Sequence, residues 1–256
     1  MKLFKRTVIF LLIFILIVWI ANFIWVYYPL NTNNATESEI KETSILLKEN
    51  NITIEEGILA QKTKTVNTPL IEFLAHNTDL FDEYVSKGKL RKISENVFMY
   101  GDNTLTVDGN SMIFEGYSDI IEKNTPDTAI PKAKKLISYL NISTKNMLVS
   151  MQEKQDGILV TFIPEYKNKP VFDCKISVMM YGAKKYKVNA TPFRLKDSNL
   201  KELPITVCTA LAELALSEKA KYNEVIETTL GFKCEDGKLI PVWEIKTKEK
   251  NTFYIR

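Results

Sequence analysis

The longest apolar stretch of the chain lies close to its N-terminus. Residues 7–28 carry no charge, Lys2, Lys5 and Arg6 precede them, and no acidic residue occurs before Glu37. A helix of this length is roughly 33 Å long at about 1.5 Å per residue, and a bilayer hydrocarbon core is about 30 Å thick. The pattern predicts a single transmembrane helix over residues 7–28. By the positive-inside rule, its basic cytoplasmic cap (residues 1–6) stays inside and the rest of the chain lies outside.

The alternative interpretation of this stretch is a secretory signal peptide that is cleaved. Such a peptide has an apolar core of about 7 to 15 residues that ends in small residues. The stretch here is longer and closes on the aromatic side chains of Phe23, Trp25, Tyr27 and Tyr28. Aromatic residues of this kind anchor spanning helices at the membrane interface, so the pattern favours an uncleaved anchor.

One amide lies inside the predicted anchor. By the helical rise, Asn22 is about 7 Å from the helix midpoint, within the hydrocarbon. Its amide would gain about 0.6 to 2 kcal/mol by hydrogen bonding to another helix, whereas close to the outer interface it would be hydrated at little cost. Both interpretations remain open. Under the first, the candidate transmembrane interaction face consists of Ile15, Val18, Trp19, Asn22, Trp25 and Val26.

Residues 29–35 are predicted to be a polar tether, followed by an extracytoplasmic N-terminal α+β domain over residues 36–120. Thr36 and Glu39 have the T-x-x-E spacing of a capping box, which predicts a helix to about Asn50. Asp108 and Gly109 form a hairpin-turn signal. The apolar pattern predicts a short helix over residues 78–87 and strands over residues 68–75, 97–100, 105–107 and 112–117.

A stretch with two prolines, residues 118–131, is predicted to end this domain, and a C-terminal α+β domain follows over residues 126–256. Its first helix has Ala133, Leu136, Ile137 and Leu140 on one face, and its second helix spans residues 204–221. The predicted strands are residues 147–151, 158–163, 171–180, 186–193, 225–232, 239–246 and 251–255. A helix followed by an antiparallel meander therefore occurs twice. The predicted fold class is α+β, with helices packed on antiparallel sheets in repeated helix-plus-meander modules.

The charge balance of the predicted exported part limits the classes of partner that it can bind. The exported part carries all 31 acidic residues and, without the three basic residues before the anchor, 31 basic ones. A neutral body lacks the basic face that phosphate contacts require, which excludes nucleic acid as a partner. Its three cysteines allow at most one internal disulfide. Cys174 and Cys208 are interpreted as small buried apolar residues on a strand and a helix.

Candidate chemistry is sparse. The chain has a single histidine, His76, and contains no G-x-S-x-G, C-x-x-C, G-x-G-x-x-G or P-loop motif. The acidic doublets are interpreted as solvated surface pairs; they are Glu55-Glu56, Asp82-Glu83 and Glu235-Asp236. We therefore predict no catalytic residue, no cofactor and no metal site. An enzyme acting on cell-wall polymer through carboxylates is the least favoured alternative.

Three segments carry a family resemblance: LLKENNITIEEGI (residues 46–58), VTFIPEYKNKPVFDCKISV (residues 160–178) and LGFKCEDGKLIPVWEIKTKEKNTFYI (residues 230–255). Together with the basic N-terminus and the single anchor, they resemble the YycI branch of the YycH/YycI family. The members of this family are membrane-anchored accessory regulators of the WalK/WalR (YycG/YycF) two-component system of Gram-positive bacteria. The last segment also resembles the end of a PepSY-type module.

The resemblance implies a regulator without catalysis of its own. It implies an extracytoplasmic domain that pairs with a sister YycH-like protein as a heterodimer, and a membrane helix that associates with those of a sensor histidine kinase. The predicted partners are thus the kinase helices, the sister protein and the membrane itself. A second hypothesis is a PepSY-like module that binds and restrains an envelope protease.

Overall fold

The computed structural model describes residues 16–19, 32–55, 57–76, 91–121, 125–140, 142–182, 184–196, 198, 200–217 and 223–256. The chain forms two compact units. Unit 1 comprises Met1–Asn67, Leu200–Thr229 and Pro241–Arg256, and unit 2 comprises Thr68–Asn199 and Leu230–Ile240.

Most elements of the described residues are β-strands, which follow one another in runs between the helices. The helices are α1 (Glu37–Glu49), α2 (Pro126–Ser138) and α3 (Val207–Leu216), and short 3₁₀ helices cover Ile58–Ala60, Leu74–His76 and Asp119–Ile121. The strands are β1 (Thr32–Asn33), β2 (Thr53–Ile54), β3 (Thr63–Lys64), β4 (Val66–Asn67), β5 (Leu70–Phe73), β6 (Arg91–Ser94), β7 (Val97–Tyr100), β8 (Asn103–Asp108), β9 (Ser111–Tyr117), β10 (Met147–Lys154), β11 (Gly157–Tyr166), β12 (Lys169–Pro170), β13 (Ile176–Tyr181), β14 (Lys185–Ala190), β15 (Phe193–Lys196), β16 (Lys201–Glu202), β17 (Glu224–Glu235), β18 (Lys238–Thr247) and β19 (Thr252–Ile255).

Unit 1 is built around the packing of α1 on α3. The capping box predicted for α1 is confirmed, because the Thr36 side chain accepts a hydrogen bond from the Glu39 amide and the Glu39 carboxylate accepts one from the Thr36 amide at 2.6 Å. In α3, Thr206 is the N-cap and the apolar stripe through Leu211 and Leu214 is buried. Both helices therefore begin where short-range hydrogen bonding by a threonine satisfies their first amides.

The strands that follow α3 are β17, β18 and β19, and residues of β17 and β18 belong to both units. β19 pairs antiparallel with β18, with Trp243 opposite Ile255. β2 pairs in parallel with β17, with Glu224 opposite Thr53. β1 pairs antiparallel with β3, so part of the predicted tether is in fact a strand.

Unit 2 contains a sheet of nine described strands. The order is β10-β11-β13-β14-β9-β8-β7-β6, and β12 pairs with β11. Every neighbouring pair along this path is antiparallel. α2 packs on β10, β11 and β13. The core between them includes fully buried Leu136, Ile137, Val160, Phe162 and Val188. The α+β fold class, with a helix on an antiparallel sheet, is confirmed.

The structure divides the chain differently from the predicted boundary at residues 118–131. β9 and β14 lie on opposite sides of that stretch, yet they pair over six positions from Lys185–Tyr117 to Ala190–Met112. The two prolines suggested a linker, but Pro126 occupies the first turn of α2, where no amide donor is needed. Pro131 lies inside the same helix.

Two further differences concern individual elements. The strand predicted over residues 171–180 begins only at Ile176, because the preceding residues follow another path described below. α3 begins three residues later than predicted, after its N-cap Thr206. The helix predicted over residues 78–87 lies outside the described residues.

The described residues contain no helix with the length and apolar content needed to span a bilayer. The predicted transmembrane segment, residues 7–28, falls outside the described part of the chain except for residues 16–19, which are helical.

Candidate functional site

In unit 2, the chain leaves its sheet between β12 and β13 and runs beside β17. Val171 forms a parallel bridge with Phe232. The Phe172 amide donates a hydrogen bond to the Phe232 carbonyl at 2.9 Å, and the Val171 amide donates one to the Pro164 carbonyl at 2.8 Å. The contacts with Phe232 fix the register of the excursion against β17, and the bond to Pro164 ties its start to β11.

Gly231 allows the two segments to approach. A Cβ atom at this position would lie 2.6 Å from Cζ of Phe172 and 2.6 Å from the carbonyl oxygen of Pro170, and real Cβ contacts below 3.0 Å essentially do not occur. Phe232 next to it packs edge-on against Tyr166, with ring centroids 5.6 Å apart. A residue without a side chain is therefore required for this close approach.

The excursion brings three polar side chains together, which we call the cysteine corner: Asp173, Cys174 and Cys234. The Sγ atoms of the two cysteines are 2.9 Å apart. The Asp173 carboxylate accepts a hydrogen bond from the Cys234 amide at 2.9 Å. Cys174 is buried, Cys234 is partly exposed and Asp173 is exposed. The corner therefore joins a buried cysteine to a partly exposed one.

The surroundings of the corner disfavour the thiolate form of Cys234. The pKa of Cys234 is raised by its contact with the Cys174 thiol, by burial and by the negative charge of Asp173. Burial and a nearby negative charge both penalise the charged form of a thiol. The raised pKa of Cys234 disfavours its thiolate, which is the form in which a cysteine acts as a nucleophile.

The corner also contains three groups that can bind metals. One ligand atom from each of the three residues lies within 4.8 Å of the others. Two thiolates on one tetrahedral zinc ion, with Zn–S bonds of about 2.3 Å, are about 3.8 Å apart. The observed separation of 2.9 Å is well below that value. The arrangement therefore fits a sulfur–sulfur contact better than a zinc site.

An apolar cavity of about 340 Å³ lies beside the corner, with Cys174 on its wall. Its lining is largely hydrophobic, with Ile142, Met147 and Phe193 among the contributors, and Arg194 adds one positive charge. The volume is at the lower end of the range of about 300 to 1,000 Å³ that is usual for small-molecule pockets. The buried sulfur of the corner therefore borders a space of mainly apolar character.

The third cysteine lies in unit 1 and has different surroundings. Cys208 is buried in α3, and its thiol donates a hydrogen bond to the Leu59 carbonyl at 3.6 Å. Burial raises the pKa of this thiol. The interpretation of Cys208 as a small buried residue on a helix is confirmed. For Cys174 the predicted burial is confirmed, but the predicted strand is wrong, since this residue lies in the excursion before β13.

The predicted transmembrane face is described only in part. Val18 and Trp19 are helical, with exposures of 45% and 69%. The other members lie outside the described residues; they are Ile15, Asn22, Trp25 and Val26. The interaction face therefore stays a prediction.

Asp173 and Cys234 were not recognised as site residues in the sequence. Cys174 and Cys234 are 60 positions apart, and neither belongs to a short motif. The available signal was the alternative that one disulfide among three cysteines was possible, without any indication of which two would meet.

Comparisons with known proteins found no matching family model and no matching curated protein. Among solved structures, the chain is similar to an uncharacterized protein from Eubacterium rectale, with 10% identity, a TM-score of 0.49 and coverage of 80% of this chain and 86% of that one. It is also similar to YycH from Bacillus subtilis, with 15% identity, a TM-score of 0.48 and coverage of 80% of this chain. The match spans 56% of the YycH chain. A third similar structure is the C-terminal domain of Bacillus megaterium YpeB, with 12% identity, a TM-score of 0.35 and coverage of 88% and 93%. With identities this low, the function has to be argued from the residues of the chain itself.

Proposed function

We propose that this chain is a membrane-anchored regulatory protein whose body lies outside the cytoplasm and modulates a cell-envelope sensor histidine kinase. The observation that carries the proposal is the uncharged stretch of residues 7–28, with basic residues before it and acidic residues only after it. Such a stretch holds a folded body next to the membrane helices of other proteins. The proposal assigns no catalytic step to the chain.

The segments that resemble the YycI branch support this proposal through their positions. Residues 160–178 and residues 230–255 are far apart in sequence, but their parts in unit 2 meet at the cysteine corner. The Val171–Phe232 bridge and the Phe172–Phe232 hydrogen bond join them. The resemblance thus includes two segments whose backbones are hydrogen-bonded to each other in the fold.

A regulator of this kind acts through differential contact. It shifts the equilibrium between two signalling states of a kinase only if it binds one state more tightly than the other. The predicted anchor provides one contact surface for the kinase helices, through the face that contains Asn22. The exported body provides the contact surface for a YycH-like sister protein.

Replacing Asn22 with leucine should weaken binding of the full chain to the kinase. Loss of one intramembrane hydrogen bond of about 0.6 to 2 kcal/mol corresponds to a decrease in affinity of about 3- to 30-fold. The measurement is affinity purification of the tagged full chain from detergent-solubilised membranes, with quantitative mass spectrometry of the proteins that are retained. Ile24→Leu is the matched control, because at 100° per residue position 24 lies on the opposite side of the predicted helix.

Exchange of the whole anchor for an unrelated transmembrane helix is the stronger test. We expect the chain with the unrelated anchor to lose its binding to the kinase helices while its body still folds. Unchanged recovery of the kinase with the unrelated anchor would contradict a transmembrane contact.

A second candidate function is a PepSY-like module that restrains an envelope protease. It is favoured by the helix followed by strands paired in sequence order, which occurs after α2 and again after α3. For this function, the chain added to an envelope protease fraction should lower its proteolytic rate. An unchanged rate at saturating concentration would dismiss the candidate.

A further inference from the structure

The two sulfur atoms of the cysteine corner are closer than unbonded neighbours normally are. Their separation is 2.9 Å, whereas nonbonded heavy atoms in a protein core settle at about 3.5 to 4.0 Å. A disulfide has a sulfur–sulfur distance of about 2.05 Å. A displacement of less than about 1 Å therefore converts the contact into a bond.

The backbone holds this arrangement without help from the sulfurs. The Phe172 amide is bonded to the Phe232 carbonyl, and two positions further along, the Cys234 amide is bonded to the Asp173 carboxylate. Gly231 lets the segments lie against each other at this point. Cys174 and Cys234 thus face each other because these bonds hold their two segments side by side, and only a small shift separates the sulfurs from bonding distance.

We propose that Cys174 and Cys234 form an intramolecular disulfide bond that closes the cysteine corner. This inference goes beyond the proposed function, although an oxidising compartment outside the cytoplasm would favour the bond. The disulfide is tested on the purified chain. A negative result would therefore not affect the proposal that the chain is anchored in a membrane.

The reaction balances as two steps of thiol–disulfide exchange with a low-molecular-weight disulfide as the oxidant. The Cys234 thiol, which is the more exposed, loses its proton and attacks the oxidant, which releases one small thiol and leaves a mixed disulfide on Cys234. The Cys174 thiol then loses its proton and attacks the Cys234 sulfur, which releases the second small thiol. Two protein thiols are oxidised by two electrons, and one oxidant disulfide is reduced to two thiols.

The surroundings of the pair indicate a structural bond rather than an exchanging one. Burial and the Asp173 carboxylate disfavour the Cys234 thiolate, which would be a product of reducing the bond. The bond would close a loop between positions 60 residues apart and restrict the unfolded chain accordingly. It would also tie the excursion before β13 to β17.

The test uses the purified full chain in detergent, incubated with glutathione disulfide, denatured, alkylated and digested with trypsin. We expect the peptides NKPVFDCK (residues 168–175) and CEDGK (residues 234–238) to be recovered as one linked species that separates on reduction. Cys208 should be alkylated in the same sample and serves as the internal control. Alkylation of all three cysteines after oxidation, or a link that involves Cys208, would overturn the proposal.

Thermal unfolding gives an independent measure. The oxidised chain should melt roughly 5 to 15 °C above the reduced chain, because the loop is long. The Cys174→Ser and Cys234→Ser variants should lose this difference, and Cys208→Ser should keep it. If a serine variant fails to fold, the proposal is still tested by comparing the melting temperatures of the oxidised and the reduced wild-type chain. Equal melting temperatures would contradict the proposal.

Zinc binding is the competing outcome and is tested directly. The reduced chain is incubated with zinc chloride, freed of excess metal, and its zinc content is compared with that of a Cys174→Ser/Cys234→Ser double variant. We expect no difference between the two. Retention of one equivalent of zinc by the wild-type chain alone, with protection of both thiols from alkylation, would replace the disulfide by a metal site.

Discussion

Replacing Gly231 with alanine should destabilise the chain by about 3 kcal/mol, because the new methyl group would enter space that Phe172 and the Pro170 carbonyl occupy. A backbone carbonyl cannot rotate away as a flexible side chain can. The excursion before β13 would have to move off β17, which would weaken the Phe172–Phe232 hydrogen bond. The free energy of unfolding is measured by denaturant titration with circular dichroism.

Gly182→Ala is the matched control for this change. A Cβ atom at Gly182 meets nothing within 4 Å, and neither Gly182 nor Gly231 has a positive φ. Both substitutions therefore have the same backbone entropy effect, and only Gly231→Ala adds a steric clash. We expect Gly182→Ala to change stability by less than about 0.5 kcal/mol. Equal effects of the two substitutions would contradict the close approach at Gly231.

Replacing Trp243 with alanine should destabilise the chain by about 3 to 5 kcal/mol. The side chain is 2% exposed, and its indole Nε1–H donates a hydrogen bond to the Ile205 carbonyl at 2.9 Å. Ile205 directly precedes Thr206, the N-cap of α3. Loss of the indole would thus leave a cavity beside β18. It would also remove the hydrogen bond to the residue that precedes the N-cap of α3.

Trp243→Phe separates these two contributions. Phenylalanine keeps much of the apolar volume but cannot donate to Ile205, so we expect a loss of about 1 to 2 kcal/mol. Tyr254→Phe provides the comparison. It removes a hydrogen bond of 3.0 Å to the buried Glu244 carboxylate, which keeps its ion pair with Lys246 at 3.1 Å, so we expect a loss of about 1 kcal/mol. Trp243→Ala with an effect no larger than that of Tyr254→Phe would show that Trp243 does not anchor α3. All three variants are measured by far-ultraviolet circular dichroism, because the substitutions alter the intrinsic fluorescence.

Features that depend on a few neighbouring residues could be predicted from the sequence. The capping box of Thr36 and Glu39 starts α1 as expected, and the Asp108-Gly109 turn joins β8 to β9, with Gly109 at a positive φ of 54°. The apolar stripe of α3, including Leu211 and Leu214, faces the core. In each case the decisive contacts lie within a few positions along the chain.

Features that depend on distant contacts could not be predicted in this way. The alternation of Phe172, Cys174 and Ile176 is real as a pattern of burial, but it indicated one continuous strand. The first two residues are buried because their segment leaves the sheet and follows β17, which only the three-dimensional arrangement reveals. β9 and β14 are also far apart in sequence. Their pairing places residues from both sides of the predicted domain boundary in one sheet.

The candidate site shows the same limit. Three cysteines allow at most one internal disulfide, and the fold selects Cys174 and Cys234 as the pair by placing their sulfurs 2.9 Å apart. Nothing local distinguishes either residue from Cys208. The predicted face around Asn22 depends instead on helical periodicity alone and awaits the measurements on the anchor.

The central claim is that residues 7–28 hold the body outside the cell, and it is tested most directly by the topology of the full chain in membranes. We expect the intact chain to pellet with membranes and to resist extraction at alkaline pH. Protease added outside intact cells should then digest the body and spare the N-terminal epitope. Recovery of a soluble chain whose mass shows that it begins beyond residue 30 would contradict the account.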